Sequence, residues 1–545
     1  MKKATNRNEK STQGPVILKN GFIVDGTGDQ GYTGNLLIRG DIIEKISRRE
    51  IKVDARVIDC SGRVISPGFI DIHSHNDWFM NSKSEFRTPF TEQGITTFVG
   101  GNCGYSAAGF SENSPYRDLL EDNLFKAGHR GLRWDTFEDY FSNISKNGMS
   151  HNLATLAGHG TTRTSIRGYD PSPMKGDSRK ELLYLLEKSM DHGAKGVSFG
   201  LGYAPDIFTT RDEIKEVANL VKKRDGIITV HVRAFSSISG VYPLKPFGTP
   251  HNILALQEMI DLARDTGVKL QISHLIIVGE RSWKTLDRVI NLINSAAAQG
   301  LDIRFDTYAY HCGASVITGI LPDWFMAKVP HSYNDRALLR RLRILMNISF
   351  GLLGFNTSDI QIAAANYPEL NRFNGMFLKD IARERKLSDF ENYVDFAQKS
   401  NSTARVLMYK YSNEKIVEEL IRHPLSHFMT DAWVEPEGVQ NPSAFGCFPR
   451  FLQIAREKKI ISLEETVHKM TLANAERMKI KDRGVLKKGK AADIVIFDYN
   501  NVRDNTSKEK SDAKPGGIET VFINGEIAMQ NGKVNKKVKA GRVLT

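Results

Sequence analysis

The stretch Val64-Ile65-Ser66-Pro67-Gly68-Phe69-Ile70-Asp71-Ile72-His73-Ser74-His75-Asn76-Asp77 decides how the chain is read. An apolar run is broken by Pro-Gly, resumes as a short strand and ends in His-x-His. Residues two apart in a strand point to the same side. His73 and His75 therefore aim their imidazoles at one point, where the strand runs out. Two neutral imidazoles so placed are what a divalent metal needs. The same pair would also suit a polar turn, so the rest of the chain must choose between the two.

Downstream of this stretch, apolar strands of four to eight residues alternate with longer helical segments, the pattern of parallel βαβ units. Eight candidate strands end near His75, Cys103, His159, Tyr203, His231 with Arg233, His274, Asp306 with Tyr308 and Tyr310, and Asp431. Between them, stretches such as RKELLYLLEKSMDHG and ILALQEMIDLARDTG repeat apolar residues at three- and four-residue spacing, as amphipathic helices do. The fold class is α/β. Eight parallel strands close into a TIM-like (β/α)8 barrel, whose active site lies where strands end and loops begin. Here nearly every strand ends in a potential metal ligand or proton carrier.

The barrel is expected to span 64–479. Residues 15–63 read as short alternating strands separated by Asn-Gly and Gly-Thr-Gly turns, and 480–545 resume that character. Together they predict a small β-sandwich domain built from both chain ends. A helical insertion of about residues 312–425 separates strands seven and eight, long enough to act as a lid or substrate-binding unit. Residues 1–14 read as a disordered basic tail with no apolar core of a secretory signal.

The sequence has 545 residues, with 40% hydrophobic and 25% charged, an ordinary soluble composition. The net charge of +12 is scattered, and no nucleic-acid module is present; a small-molecule substrate is expected, with no nucleic acid and no membrane as partner. Cys60, Cys103, Cys312 and Cys447 are too widely spaced for a disulfide framework or a CxxC zinc module, so a reducing cytoplasm is the default location. GVSFGLGY lacks the Lys-Ser/Thr ending of a phosphate loop.

As a set, His73, His75, Cys103, His231, His274 and Asp431 combine imidazole, thiolate and carboxylate, which suits zinc. A structural zinc site uses four closed ligands, usually in tight local pairs. Six donors spread over several strands predict one or two ions with a position left for water, whose pKa bound zinc lowers to about 7. Asp431 is then both ligand and proton carrier. Cys60, Cys312 and Cys447 read as packing residues, and His159 reads equally as a satisfied structural histidine.

FIDIHSH, GGNCGYS, SFGLGYAP, VHVRA, QISHL, DTYAY, FMTDAW, GCFPRFL and DRGVLKKGKAADIVIFD occur in that order. In combination they resemble the D-aminoacylase (N-acyl-D-amino-acid deacylase) family of the amidohydrolase superfamily, over about residues 15–540. The resemblance implies a zinc-dependent barrel whose metal centre falls on the six residues just named. It also implies substrate-side tyrosines at Tyr203 and Tyr308, and in the mechanism expected here Tyr308 donates to the developing oxyanion. Lys195 lies at the wrong strand end to be a bridging carboxylated lysine, which leaves the Cys103 thiolate as bridge. Three departures stand out. A lysine expected two residues after the sixth-strand histidine is Ile276, DxYPY is DTYAY, and HPR is Asn441-Pro442-Ser443. Arg233 is therefore expected to take the substrate carboxylate in two-pronged fashion. The implied reaction is hydrolysis of a linear amide, an N-acyl-D-amino acid. The alternatives are a cyclic-amide hydrolase of hydantoinase or dihydroorotase type, or a non-catalytic barrel.

Overall fold

The computed structural model describes residues 14–80, 82–119, 134–243, 245 and 247–545. The expected disordered tail therefore lies, but for Gly14, outside the described residues.

Eight parallel strands form a ring in chain order: Phe69–Asp71, Ile95–Gly100, Asn152–Thr155 continuing as Ala157–Gly158, Gly196–Gly200, Ile227–His231, Lys269–Ile272, Ile303–Thr307 and Ser426–Phe428. The ring closes where the Asp431 N–H donates to the His73 carbonyl at 2.9 Å. The Asp71 carboxylate fastens the same seam, accepting from the N–H and hydroxyl of Thr430 at 2.9 and 2.5 Å. These strands read as unbroken apolar runs because both faces are covered; every residue of Ile95–Gly100 is buried.

The outer helices follow from their spacing. In Arg211–Lys223 the buried residues include Ile214, Val217, Ala218 and Val221, one stripe facing the strands, and Thr210 caps the start by accepting from the Glu213 N–H. Burying each large apolar side chain on such a stripe contributes about 1.5–3 kcal/mol.

Strands from both chain ends hydrogen-bond into one nine-stranded sheet. Ile494–Phe497 pairs antiparallel with Val64–Pro67, which also lies beside Val16–Ile23. Val64–Pro67 thus belongs to this sheet, and the first ring strand starts at Phe69 rather than at 64. The Pro67-Gly68 break makes the transfer, with the Gly68 N–H donating to the Asp493 carbonyl at 2.8 Å. A Cβ at Gly68 would lie 2.3 Å from Thr96 Oγ1, so only glycine lets the chain cross here. The buried Asp493 pairs with Arg483 and accepts from Asn152 Nδ2 at 2.9 Å, tying the sheet to the third ring strand.

The insertion after the seventh strand is not wholly helical. It holds a three-stranded antiparallel sheet of Gly313–Val316, Arg405–Met408 and Ile360–Ala364, against which helices such as Arg336–Leu353 and Asp389–Lys399 pack. It has its own core, including Phe325, Leu342, Ile362, Phe396 and Val406. Short apolar runs such as IQIAA and RVLM carry no period that separates strand from buried helix, which is why they did not read as strands.

Candidate metal centre

His73, Cys103, His274 and Asp431, from four different strand ends, bring one ligand atom each to within 4.8 Å of one another. Cys103 Sγ lies 3.2 Å from His73 Nε2 and 3.3 Å from His274 Nε2. Asp431 Oδ1 lies 3.3 Å from His73 Nε2 and 3.4 Å from His75 Nε2. His231 stands one step further out, its Nδ1 2.8 Å from His274 Nε2. The thiol thus sits between a His73/His75 pair and a His231/His274 pair, with the carboxylate closing the gap.

The backbone is bent to do this. Cys103, His274 and Asp431 have φ of +56°, +33° and +50°, values uncommon outside glycine. Such strain concentrates at functional sites, held in place by the surrounding structure. It turns each side chain inward as strand gives way to loop. Gly104, at φ +80°, could carry no side chain, since its Cβ would meet Asp206 Oδ2 at 2.5 Å and the Gly200 nitrogen at 2.8 Å.

The electrostatics match a cation's requirements. Burial would raise the Cys103 thiol, but the imidazoles of His73 and His274 outweigh it and hold it well below its ordinary value. Burial likewise opposes ionisation of Asp431, yet His274 and His73 hold its carboxyl well below the usual range. Burial, the largest cause in each case, pushes the thiols of Cys60, Cys312 and Cys447 up to about 12. Against burial, hydrogen bonding to Asp431 and Cys103 raises His75 to about 9. Two anionic donors converging among imidazoles, with His73, Cys103 and His274 buried and Asp431 partly exposed, fit a thiophilic divalent metal.

Behind the cluster stands Asp306, which the sequence placed at a strand end without a role. Its Oδ1 lies 3.2 Å from His73 Nδ1 and accepts from the His274 N–H at 2.6 Å, while Gln271 Nε2 donates to Oδ2 at 2.9 Å. A carboxylate on the far nitrogen of a ligating histidine fixes its tautomer and orientation. The signal was the Asp of DTYAY, two strands away from HxH in the closed ring.

The other expected residues fall out differently. Tyr203 lines the cavity above the cluster, stacks on Tyr105, and its hydroxyl donates to the Cys103 carbonyl at 2.8 Å. Tyr308 also lines the cavity, and burial followed by the Asp431 charge raises its phenol well above the ordinary value. Arg233 lines the cavity as well, with its donors already partnered. Its guanidinium is committed to Glu258, Nε lying 3.2 Å from both carboxylate oxygens, and to the Ile207 and Thr209 carbonyls at 3.1 and 2.6 Å. It is a structural ion pair at the cavity wall. The cation missed in the sequence is Arg405, 5% exposed, which lines the same cavity, sits 5.2 Å over the Trp433 ring and lies 3.5 Å from Glu435. It comes from the insertion, far in sequence from every motif. His159 is absorbed in a buried network, with Nδ1 2.7 Å from Asp206 and Nε2 3.1 Å from Glu213.

Comparison with known proteins supports the resemblance read from the motifs. A model of the amidohydrolase family matches residues 405–529. D-aminoacylase of Alcaligenes xylosoxydans xylosoxydans is 28% identical over 533 residues, covering 97% of each chain. A solved D-aminoacylase with a binuclear metal centre superposes with a TM-score of 0.78 at 27% identity, over 97% of this chain and 99% of that one. The chain resembles the D-aminoacylases of the amidohydrolase superfamily along nearly its whole length. It is a metal-dependent amidohydrolase. A further likeness, of fold alone, is to N-acyl-D-glutamate deacylase from Bordetella bronchiseptica complexed with zinc and a phosphonate mimic of the tetrahedral intermediate (24% identity, TM-score 0.79, 98% of this chain and 100% of that one).

Proposed function

We propose that the protein deacylates N-acyl-D-amino acids with zinc, one or two ions, held by His73, His75, Cys103, His231, His274 and Asp431. The observation that carries this reading is the convergence of His73, Cys103, His274 and Asp431 at the mouth of a barrel similar to D-aminoacylase along nearly its whole length. When bound, zinc supplies Lewis-acid polarisation of the acyl carbonyl and makes hydroxide available at neutral pH.

The chain's own residues supply the rest. Asp431, kept anionic by its imidazole neighbours, accepts a proton from the attacking water. It delivers that proton to the departing amine nitrogen as the C–N bond breaks, leaving a carboxylate and a free amino acid. The Tyr308 phenol stays protonated and donates a hydrogen bond to the carbonyl oxygen as its charge develops. Asp306 keeps His73 facing the cluster. Arg405 takes the part expected of Arg233, receiving the substrate carboxylate at the cavity wall.

Similarity to linear-amide deacylases over nearly the full length favours this reading over cyclic-amide hydrolysis. The preference for the D-isomer rests on the same similarity. The free thiols of Cys60, Cys103, Cys312 and Cys447 fit a reducing cytoplasm. Among the described residues no helix is long and apolar enough to cross a membrane.

The test is a panel of N-acetyl-D-amino acids, their L-isomers and cyclic ureides, assayed on protein of measured zinc content. Turnover of the D-isomers that stops on chelation is expected. Turnover of the ureides alone would overturn the proposal.

A further inference from the structure

We infer that the acyl group of the substrate is a long apolar chain, housed in a channel that the insertion builds onto the barrel mouth. This rests on the deacylase reading and goes beyond it by naming the acyl class.

The cavity has a volume of ≈ 260 Å³ and runs from the donor cluster to the helix Arg336–Leu353. Along that helix Leu342, Leu345, Met346, Ser349, Phe350 and Leu353 line it. Their spacing of three and four places them on one face, a stripe of about 16 Å at 1.5 Å per residue. Ile276, Val278, Ile320, Leu321 and Phe355 add further apolar lining, with Ser236, Ser239 and Ser315 as the uncharged polar residues beside them. Ile276 stands where the family resemblance leads one to expect a lysine. The helix is fitted to the barrel: a Cβ at Gly279, just after Val278, would lie 2.6 Å from the Leu353 carbonyl oxygen.

Both arginines that line the cavity lie beside a carboxylate, Arg405 beside Glu435 and Arg233 beside Glu258. Arg405 lies over Trp433, whose ring stands edge-on to His75 at 5.4 Å. Arg233, the other lining arginine, is neutralised by Glu258.

The proton path fixes which half of the substrate goes where. Asp431 must reach the amine nitrogen, so the amino-acid half lies beside Asp431, Trp433 and Arg405. The acyl half then points past His231 and His274. There it meets Phe235, whose ring lies 4.8 Å and 5.1 Å from those two imidazoles, and enters the apolar channel. An acetyl group would leave that channel unfilled, whereas an extended alkyl chain would run along the stripe. Removing each methylene from water favours binding by about four-fold.

The experiment uses the full-length, zinc-loaded protein with the N-acetyl, N-butanoyl, N-octanoyl and N-dodecanoyl derivatives of one D-amino acid. We expect kcat/KM to rise by more than about 100-fold from acetyl to octanoyl. Ser349→Trp, which places a ring in the channel, should cut the octanoyl-to-acetyl ratio at least about ten-fold. As a measurement that needs no variant, octanoate should inhibit N-acetyl hydrolysis far more strongly than acetate. Turnover of the acetyl substrate with no gain for octanoyl, and equal inhibition by octanoate and acetate, would overturn the channel while leaving the deacylase reading intact. Calorimetric binding of N-octanoyl-D-amino acid with no hydrolysis of any derivative would support the channel and overturn the deacylase reading.

Discussion

Asp306 Oδ1 lies 3.2 Å from Nδ1 of His73, on the side of the imidazole turned away from the donor cluster. The same oxygen accepts the His274 N–H, so one buried carboxylate orients two donors from different strands. Asp306→Asn keeps the shape and removes the charge. Metal retention should fall about 10–100-fold, read as zinc content after dialysis against graded chelator, with unchanged circular dichroism. Undiminished retention would show that His73 is oriented by packing alone.

Replacing His231 tests the outer pair. His231→Ala should lose both zinc retention and turnover, since its imidazole is 2.8 Å from that of His274 and contacts the same thiol. A variant with full activity would remove His231 from the site.

The two cavity arginines should behave oppositely. Arg233→Met leaves Glu258 with only the Tyr242 hydroxyl and no cationic partner, and should destabilise the fold by about 3 kcal/mol, read by urea denaturation. Arg405→Met should instead raise KM for carboxylate-bearing substrates about ten-fold or more, with less effect on kcat. Interchanged results would restore Arg233 as the substrate's partner.

Gly104 tests the strain beside the thiol. Gly104→Ala must keep φ near +80° while its methyl presses Asp206 Oδ2 and the Gly200 nitrogen. A loss of about 2 kcal/mol or more is expected, with displaced Cys103 and reduced zinc content. Wild-type stability and zinc would mean that the loop after Ile95–Gly100 yields without cost.

Two histidines away from the cluster predict acid sensitivity. Burial, followed by the Arg87 charge for His151 and the Arg477 charge for His427, lowers both to about 3. Their folded pKa lies below the unfolded value of about 6.5. Between these values the unfolded chain binds more protons, so stability is full above about pH 6.5 and falls as pH drops toward 3. Each contributes a slope of about 1.4 kcal/mol per pH unit in that window. His427→Asn should flatten the urea-midpoint profile there by about one proton; an unchanged profile would place the acid sensitivity elsewhere.

The alternation of apolar strands with amphipathic helices, and the habit of strands ending in His, Cys or Asp, made the barrel and its candidate donors legible in the sequence. Those signals are local: a strand's period and its last residues are written within ten positions. The transfer at Pro67-Gly68 was present as a motif, but only pairing with Ile494–Phe497 assigns Val64–Pro67 to the terminal sheet. Asp306 and Arg405 needed the closed structure, because neither is near its partner in sequence. Arg233 shows the converse: it stands beside the expected histidine, yet Glu258 and two carbonyls claim its donors. A side chain's identity and its place on a strand come from the sequence by itself. Whether its charge faces substrate or is already paired depends on which distant residues packing brings within hydrogen-bond reach, and the tertiary structure alone decided that.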